Sequence, residues 1–111
     1  MSRSLNTREA PIEAQAVRIL EEQYHIVGLK LNVHGRIGWP DRCFFIPGGK
    51  PVLVEFKRPG ESVGPKQAHV HRYLQALGYA VQTFDDVTAG VAFVVHATKC
   101  ALTAMGAADD R

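Results

Sequence analysis

Cysteine, long apolar runs and net charge are all scarce in this sequence. The 111 residues include only two cysteines, Cys43 and Cys100, which excludes a scaffold held together by several disulfides. The longest uninterrupted apolar run is Val91 to Val95, whereas a membrane span needs about 20 apolar residues, so we expect no membrane partner. The first ten residues are polar and charged and lack the apolar run of a secretory signal, so we expect a cytoplasmic location.

The composition is that of an ordinary globular domain, but the charges are unevenly placed. Hydrophobic residues make up 46% of the chain and charged residues 22%, so we interpret residues 1–111 as one domain, with a core over about 9–98 and frayed ends. The net charge is only +2, yet residues 30–72 hold eight lysines and arginines against three acids. This basic middle favours a polyanionic partner, and a solvated surface with clustered charge is the alternative.

Helical and alternating patterns of apolar residues predict three helices and four strands. In chain order, the predicted elements are helix 9–24, strands 28–34, 42–46 and 51–57, helix 65–77, strand 79–84 and helix 87–98. The turn at 47–50 joins the second and third strands as a hairpin, and the helix that follows predicts a parallel return strand beside the third. We therefore expect an α/β fold with a mixed sheet covered by helices, in the order α-β-β-β-α-β-α.

Charged side chains lie where two neighbouring predicted strands begin and end. Glu55 and Lys57 point to the same face of the third strand, about 7 Å apart. Asp41 opens the preceding strand of the hairpin, which places a second carboxylate near Glu55. Two carboxylates and water form an oxygen site suited to Mg²⁺, and a lysine beside it can offset negative charge on a phosphate. The alternatives are an ion pair on a solvated sheet and a turn aspartate after Pro40.

Together with their neighbours, these residues resemble the virus-type replication–repair nuclease domain, VRR-NUC, a branch of the PD-(D/E)xK nuclease superfamily. The motifs are Gly35-x-x-Gly38-Trp39-Pro40-Asp41-Arg42, Pro47-Gly48-Gly49, Val54-Glu55-Phe56-Lys57-x-Pro59-Gly60 and Pro65-x-Gln67. The resemblance covers about 9–95 and implies a PD-(D/E)xK nuclease-like core of the standalone type found in phages and bacteria. The sequence departs from the family pattern at Trp39 and Phe56, where aliphatic residues are usual, and we expect Trp39 to pack on its loop rather than stack on a base.

The resemblance also implies roles for particular residues. Asp41 and Glu55 would be metal ligands, helped by the main-chain carbonyl of Phe56. Lys57 would be the catalytic lysine. Gln67, in the first turn of the second helix, would complete the catalytic set.

A glutamate of the first helix and several basic side chains extend the predicted site. The family has a metal-binding glutamate on this helix, for which Glu13 and Glu9 compete, and we favour Glu13. An acid that merely complements the helix dipole is the alternative for either residue. The candidate phosphate-binding residues are Lys30, Arg36, Arg42, Arg58 and Lys66. Ordinary surface charge is the alternative for these basic residues.

The function implied by the resemblance is a metal-dependent DNA endonuclease that hydrolyses phosphodiester bonds with Mg²⁺ or Mn²⁺. Its substrate would be branched DNA in DNA repair, a flap or a four-way (Holliday) junction, cut by a homodimer in a bacterial or phage-infected cell. The alternatives are a restriction-type nuclease that cuts duplex DNA and a nucleic-acid-binding module that does not cut. A zinc site at His96 and Cys100 is not expected, because two ligands do not make a site.

Overall fold

Three helices and four strands make up the part of the chain that the computed structural model describes, which is residues 11–32 and 34–109, with side chains to residue 106. The elements are α1 (Ile12–Tyr24), β1 (Gly28–Lys30), β2 (Arg42–Phe44), β3 (Val52–Phe56), α2 (Pro65–Ala76), β4 (Ala80–Phe84) and α3 (Val87–Asp109). Their order confirms the predicted α-β-β-β-α-β-α sequence of elements. The predicted start of the first helix at residue 9, Glu9 itself and the predicted frayed arm over 1–8 lie outside the described residues.

The four strands form one mixed sheet in the order β1-β2-β3-β4. The first two pairs are antiparallel, with Leu29 opposite Cys43 and Cys43 opposite Leu53. The last pair is parallel, with Leu53 beside Val81. Because parallel neighbours need a crossover connection, α2 carries the chain from β3 back to the start of β4. The predicted hairpin, the parallel return strand and the mixed α/β sheet are therefore confirmed.

Side chains alternate along β3 and divide the core between the two faces of the sheet. Val52 and Val54 pack on the side of α1 and α3, and Leu53 packs on the side of α2. The buried cluster on the first side is Leu20, Ile26, Phe44, Val52, Val54 and Val94. The buried cluster on the second side is Cys43, Leu53, Leu74 and Val81. Since β3 is covered on both faces, Glu55 also points into a covered region, on the α2 side.

Strands β1 and β2 are shorter than the sequence pattern predicted. β1 ends at Lys30 and β2 ends at Phe44, rather than at residues 34 and 46. The main-chain N–H of Leu31 still donates to the carbonyl of Asp41 at 2.8 Å. Pro40 has no N–H with which to continue the hydrogen bonding between β1 and β2, so the pairing of these strands stops at Asp41.

Helix α3 is longer than predicted. It continues to Asp109, whereas the sequence pattern ended the helix at residue 98 and assigned a frayed arm after Met105. The predicted helix end was wrong because the segment after residue 98 is rich in alanine, with leucine and methionine, which favour helix, and contains no proline. The frayed arm stays a prediction.

The length and composition of α3 also pass the test for a membrane-spanning helix. The window Val87–Gly106 has a mean hydropathy of 1.4, and 11% of it is buried. The sequence analysis missed it because threonines, glycines, His96 and Lys99 keep every uninterrupted apolar run short, although the average over the window stays high. Within the fold, Val94 is fully buried against the sheet, and the Phe93 ring lies 5.3 Å from the Phe84 ring. We therefore interpret α3 as a core helix with a largely apolar outer side.

Candidate active site

Two carboxylates stand side by side where β2 begins and β3 ends. Arg42 is opposite Val54 in the hairpin register, so the next position along places Asp41 beside Glu55. The main-chain N–H of Phe56 donates to Asp41 Oδ2 at 2.8 Å and holds that side chain against β3. Pro40 is fully buried and anchors the loop that delivers Asp41. The structure thus brings Asp41, Glu55 and Phe56 together.

Gln67 and Lys57 converge on one oxygen of Glu55. Gln67 Nε2 donates to Glu55 Oε2 at 2.9 Å, and Lys57 Nζ lies 3.6 Å from the same oxygen. The main-chain N–H of Gly64 donates to Gln67 Oε1 at 3.1 Å, which aims the amide nitrogen at Glu55. The other oxygen, Glu55 Oε1, is buried and has no hydrogen-bond partner among the described residues. One side of this carboxylate is held, and the other side is free to bind a ligand.

Glu55 has a strongly perturbed ionisation equilibrium. Its residue is 4% exposed, and this burial together with the Asp41 charge raises its pKa from 4.5 to about 7. The charge of Lys57 and its hydrogen bond lower this pKa, and the Glu13 charge raises it further. A buried carboxyl that resists ionisation, beside a second carboxylate, is an environment in which a cation would be favourable.

Glu13 forms a neighbouring ionic cluster with two bases. Arg42 Nε donates to Glu13 Oε2 at 2.7 Å, and Lys30 Nζ donates to the same oxygen at 3.0 Å. Arg42 Nη1 also donates to the carbonyl of Gly28 at 3.1 Å. Burial raises the pKa of Glu13, but the hydrogen bonds and charges of Lys30 and Arg42 outweigh it, so the pKa is lowered overall. Glu13 therefore acts on Glu55 through its charge, while its oxygens are bonded to Lys30 and Arg42.

The residues at the paired strand ends fit a hard divalent cation. No group of three His, Cys, Asp or Glu side chains comes together within the described ranges, so a cation here would have two carboxylates and would complete its shell elsewhere. The unpartnered Oε1 of Glu55, the carboxylate of Asp41 and the main-chain carbonyl of Phe56 are oxygen donors, which Mg²⁺ and Mn²⁺ prefer. His96 and Cys100 contact one another at 3.4 Å, with no third zinc ligand among the described residues.

The predicted phosphate-binding residues fall into two groups. Lys30 and Arg42 are bonded to Glu13, whereas Arg36, Arg58 and Lys66 are exposed, and Arg58 is paired only loosely with Glu61, at 3.8 Å. The loop that carries Arg36 packs against the first turn of α2, where Lys66 lies, since residues of both segments line one surface hollow. Trp39 packs against the core cluster on the α2 side, rather than only on its own loop as the sequence analysis expected.

The sequence analysis assigned no role to His71. In the structure His71 is 8% exposed, and its Nε2 is buried without a partner among the described residues. His71 lies four residues after Gln67 and therefore on the same helix face, and this spacing could have predicted that it faces the site.

Comparison with solved structures identifies the architecture. A structure described as a VRR_NUC domain superposes with a TM-score of 0.63 and 23% sequence identity, over 78% of this chain and 97% of that one. The chain has the fold of a VRR_NUC domain. The resemblance derived from the motifs is thus confirmed for the fold, and nearly the whole of that VRR_NUC domain is matched.

A curated relative of this VRR_NUC-fold chain is "Putative nuclease p44" of Acyrthosiphon pisum secondary endosymbiont phage 1. It is 47% identical over 60 residues, which are 54% of this chain and 64% of the relative. The match thus spans somewhat less than two thirds of that relative. No family model matches the chain.

Proposed function

We propose that this protein is a metal-dependent nuclease that hydrolyses phosphodiester bonds in DNA. The observation that carries the proposal is the buried, unpartnered Oε1 of Glu55 beside Asp41, with Lys57 and Gln67 holding the opposite oxygen. An unpaired buried carboxylate oxygen is costly to stability, and binding a cation removes that cost. The VRR_NUC fold and the similarity to a phage protein described as a nuclease support the same reaction.

Each side chain of the site has a separate task in this proposal. A Mg²⁺ or Mn²⁺ ion held by Asp41, Glu55 and the Phe56 carbonyl would supply Lewis acidity and a reactive water. The Phe56 N–H fixes Asp41, and Gln67 keeps Glu55 turned so that Oε1 faces the ligand. Lys57 offsets the negative charge that develops on the phosphate during hydrolysis.

Glu13 is proposed as a further ligand, with a condition. Its oxygens accept hydrogen bonds from Arg42 and Lys30, so a metal would compete with these two bases for Glu13. The Lys30 side chain is 55% exposed. A DNA phosphate that attracts Lys30 would weaken its bond to Glu13 and leave Glu13 more available to a metal. Arg36, Arg58 and Lys66 are proposed phosphate contacts because they are exposed on the basic middle of the chain.

We also propose a homodimer that acts on branched DNA. A two-fold dimer presents two identical sites, which suits a symmetric four-way junction. Support comes from the motif resemblance and from the outer side of α3, where Leu102 and Met105 are half-exposed apolar residues. Their exposure offers a surface that a second copy would cover.

The test is a cleavage assay with labelled single strand, duplex, flap and four-way junction DNA, each with EDTA, Mg²⁺ or Mn²⁺. Lys57→Met is the catalytic variant, and Lys99→Met, an exposed lysine of α3, is the matched control. We expect metal-dependent cutting that falls by about 100-fold or more in Lys57→Met and is unchanged in Lys99→Met. Binding without any cutting would establish a non-cleaving module, and a preference for plain duplex would overturn the branched-DNA proposal.

A further inference from the structure

The position of His71 on α2 directs its side chain toward the candidate active site. Residues four apart on a helix share a face, so His71 lies one turn beyond Gln67 and one turn before the buried Leu74. Gln67 bonds to Glu55, and Leu74 packs in the cluster that contains Leu53 of the same strand. Because both its neighbours on that face touch β3, His71 also faces the sheet, on the side where Glu55 and Lys57 point.

The buried nitrogen of His71 lacks a partner that a purely structural histidine would have. Only two buried side-chain atoms are unpartnered in the described part of the chain, Glu55 Oε1 and His71 Nε2, and both belong to this face. Leaving a buried polar atom unpaired destabilises the fold, and such atoms usually bind a water or have a functional role. An apolar side chain at this position would avoid the cost, so the histidine needs another explanation.

The charges around the His71 ring determine which hydrogen-bond partner the ring can take. Burial and the Lys57 ammonium lower the pKa of His71, and the opposing charge of Asp41 raises it less. The imidazole is therefore neutral near pH 7 and has one nitrogen able to accept a hydrogen bond. Lys57 carries three N–H donors, and its contact with Glu55 is long, at 3.6 Å. A neutral acceptor beside a lysine with donors to spare is a complementary pair.

We propose that His71 is a positioning residue for Lys57, linked to it by one buried water that accepts a hydrogen bond from Lys57 Nζ and donates one to His71 Nε2. This water bridge keeps the Lys57 ammonium directed at the substrate phosphate and prevents it from pairing more closely with Glu55. The catalytic consequence rests on the proposed nuclease function, but the water-bridged contact itself does not, because it needs only two side chains of this chain and a water, without metal or DNA.

The hydrogen bond is tested without any cleavage, by ¹⁵N NMR of the histidine rings near neutral pH. The His71 signals are assigned by their loss in His71→Gln. We expect the proton on Nδ1, an Nε2 resonance shifted by an accepted hydrogen bond, and loss of that shift in Lys57→Met but not in Lys66→Met. Lys66→Met removes a lysine of the same helix and controls for charge. A proton on His71 Nε2 would overturn the proposal. An Nε2 chemical shift that is the same in the parent and in Lys57→Met would overturn it as well.

The consequence is tested by comparing His71→Leu and His71→Gln in the cleavage assay, with His69→Leu, an exposed histidine of the same helix, as control. We expect His71→Leu to lower kcat by about 10- to 100-fold with KM unchanged, and His71→Gln to restore most of the rate. The unfolding midpoint of His71→Leu should be nearly unchanged, because one water-mediated hydrogen bond is lost while one buried polar group is removed. Full activity in His71→Leu contradicts the positioning role. A parent protein that cuts no DNA contradicts the proposed function instead, and the NMR result still decides on His71.

Discussion

At the scale of single residues, Glu55 couples ionisation to stability. Its folded pKa of about 7 lies above its ordinary value of 4.5, so the folded protein binds this proton more tightly than the unfolded chain. The contribution of Glu55 to the free energy of unfolding is therefore most favourable below about pH 4.5, and it is lost as the pH rises through about 7. The site is thus a local source of instability at neutral pH, where a divalent cation would neutralise the buried charge.

Glu55→Gln is expected to stabilise the metal-free protein. At about pH 8 the free energy of unfolding should rise by about 1–3 kcal/mol, because the buried charge is removed, and at about pH 4 it should hardly change. Urea denaturation in EDTA at both pH values measures this. Adding Mg²⁺ should stabilise the parent and not the variant. Glu22→Gln, on the exposed side of α1, is the control, and an equal gain at both pH values would contradict the pKa argument.

Glu13 offers a second test at this scale. Glu13→Ala leaves Arg42, whose side chain is 22% exposed, without its shortest partner, so we expect a loss of about 1–2 kcal/mol in the free energy of unfolding. Lys30→Ala removes the more exposed partner and should cost less than about 1 kcal/mol. Calorimetry with Mn²⁺ then separates the two roles. Weaker metal binding in Glu13→Gln supports a ligand, and unchanged binding assigns Glu13 to holding the two bases.

At the scale of elements, the loop between β1 and β2 controls where the site residues meet. Gly38 has a positive φ of 89°, and a Cβ added there would lie 2.8 Å from the carbonyl oxygen of Lys66 in α2. This close approach fixes the loop that delivers Asp41 against the helix that delivers Gln67. Gly35 also has a positive φ, of 75°, but an added Cβ would meet no atom of the described residues within 4 Å.

The two glycines make a matched pair of substitutions. Gly35→Ala should cost about 1 kcal/mol, from backbone strain alone. Gly38→Ala should cost about 2–4 kcal/mol, because the clash with the α2 backbone is added to the strain. Chemical denaturation measures both, and metal binding should weaken more in Gly38→Ala. Equal costs for the two variants would show that the contact between loop and helix is not important.

At the scale of the whole molecule, the proposed homodimer would use the outer side of α3. Leu102 is 52% exposed on this helix, and Leu77, at the end of α2, is exposed to the same degree, 51%. If a second copy covers α3, Leu102→Glu should yield monomers, while Leu77→Glu leaves the dimer intact. Light scattering coupled to size-exclusion chromatography measures the mass of each. A monomeric parent at high concentration would contradict the proposed homodimer.

The sequence by itself determined the elements and half of the site. Apolar periodicity is a local property, so it predicted the helices, the hairpin and the alternation that places Glu55 and Lys57 on one face. The hairpin turn then sets the register of β2 and β3, and this local register brings Asp41 beside Glu55. The end of α3 was mispredicted because no proline or glycine follows residue 98 until Gly106, and the helix continues past that glycine to Asp109.

Only the tertiary structure decided how distant elements meet. Glu13 pairs with Arg42, 29 positions later, and Gln67 reaches Glu55 from a different element, contacts that no periodicity encodes. The burial of His71 and the elevated pKa of Glu55 likewise arise from α2 covering the sheet. Local patterns specify which face of an element is buried, whereas distances and ionisation between elements depend on how the buried faces pack.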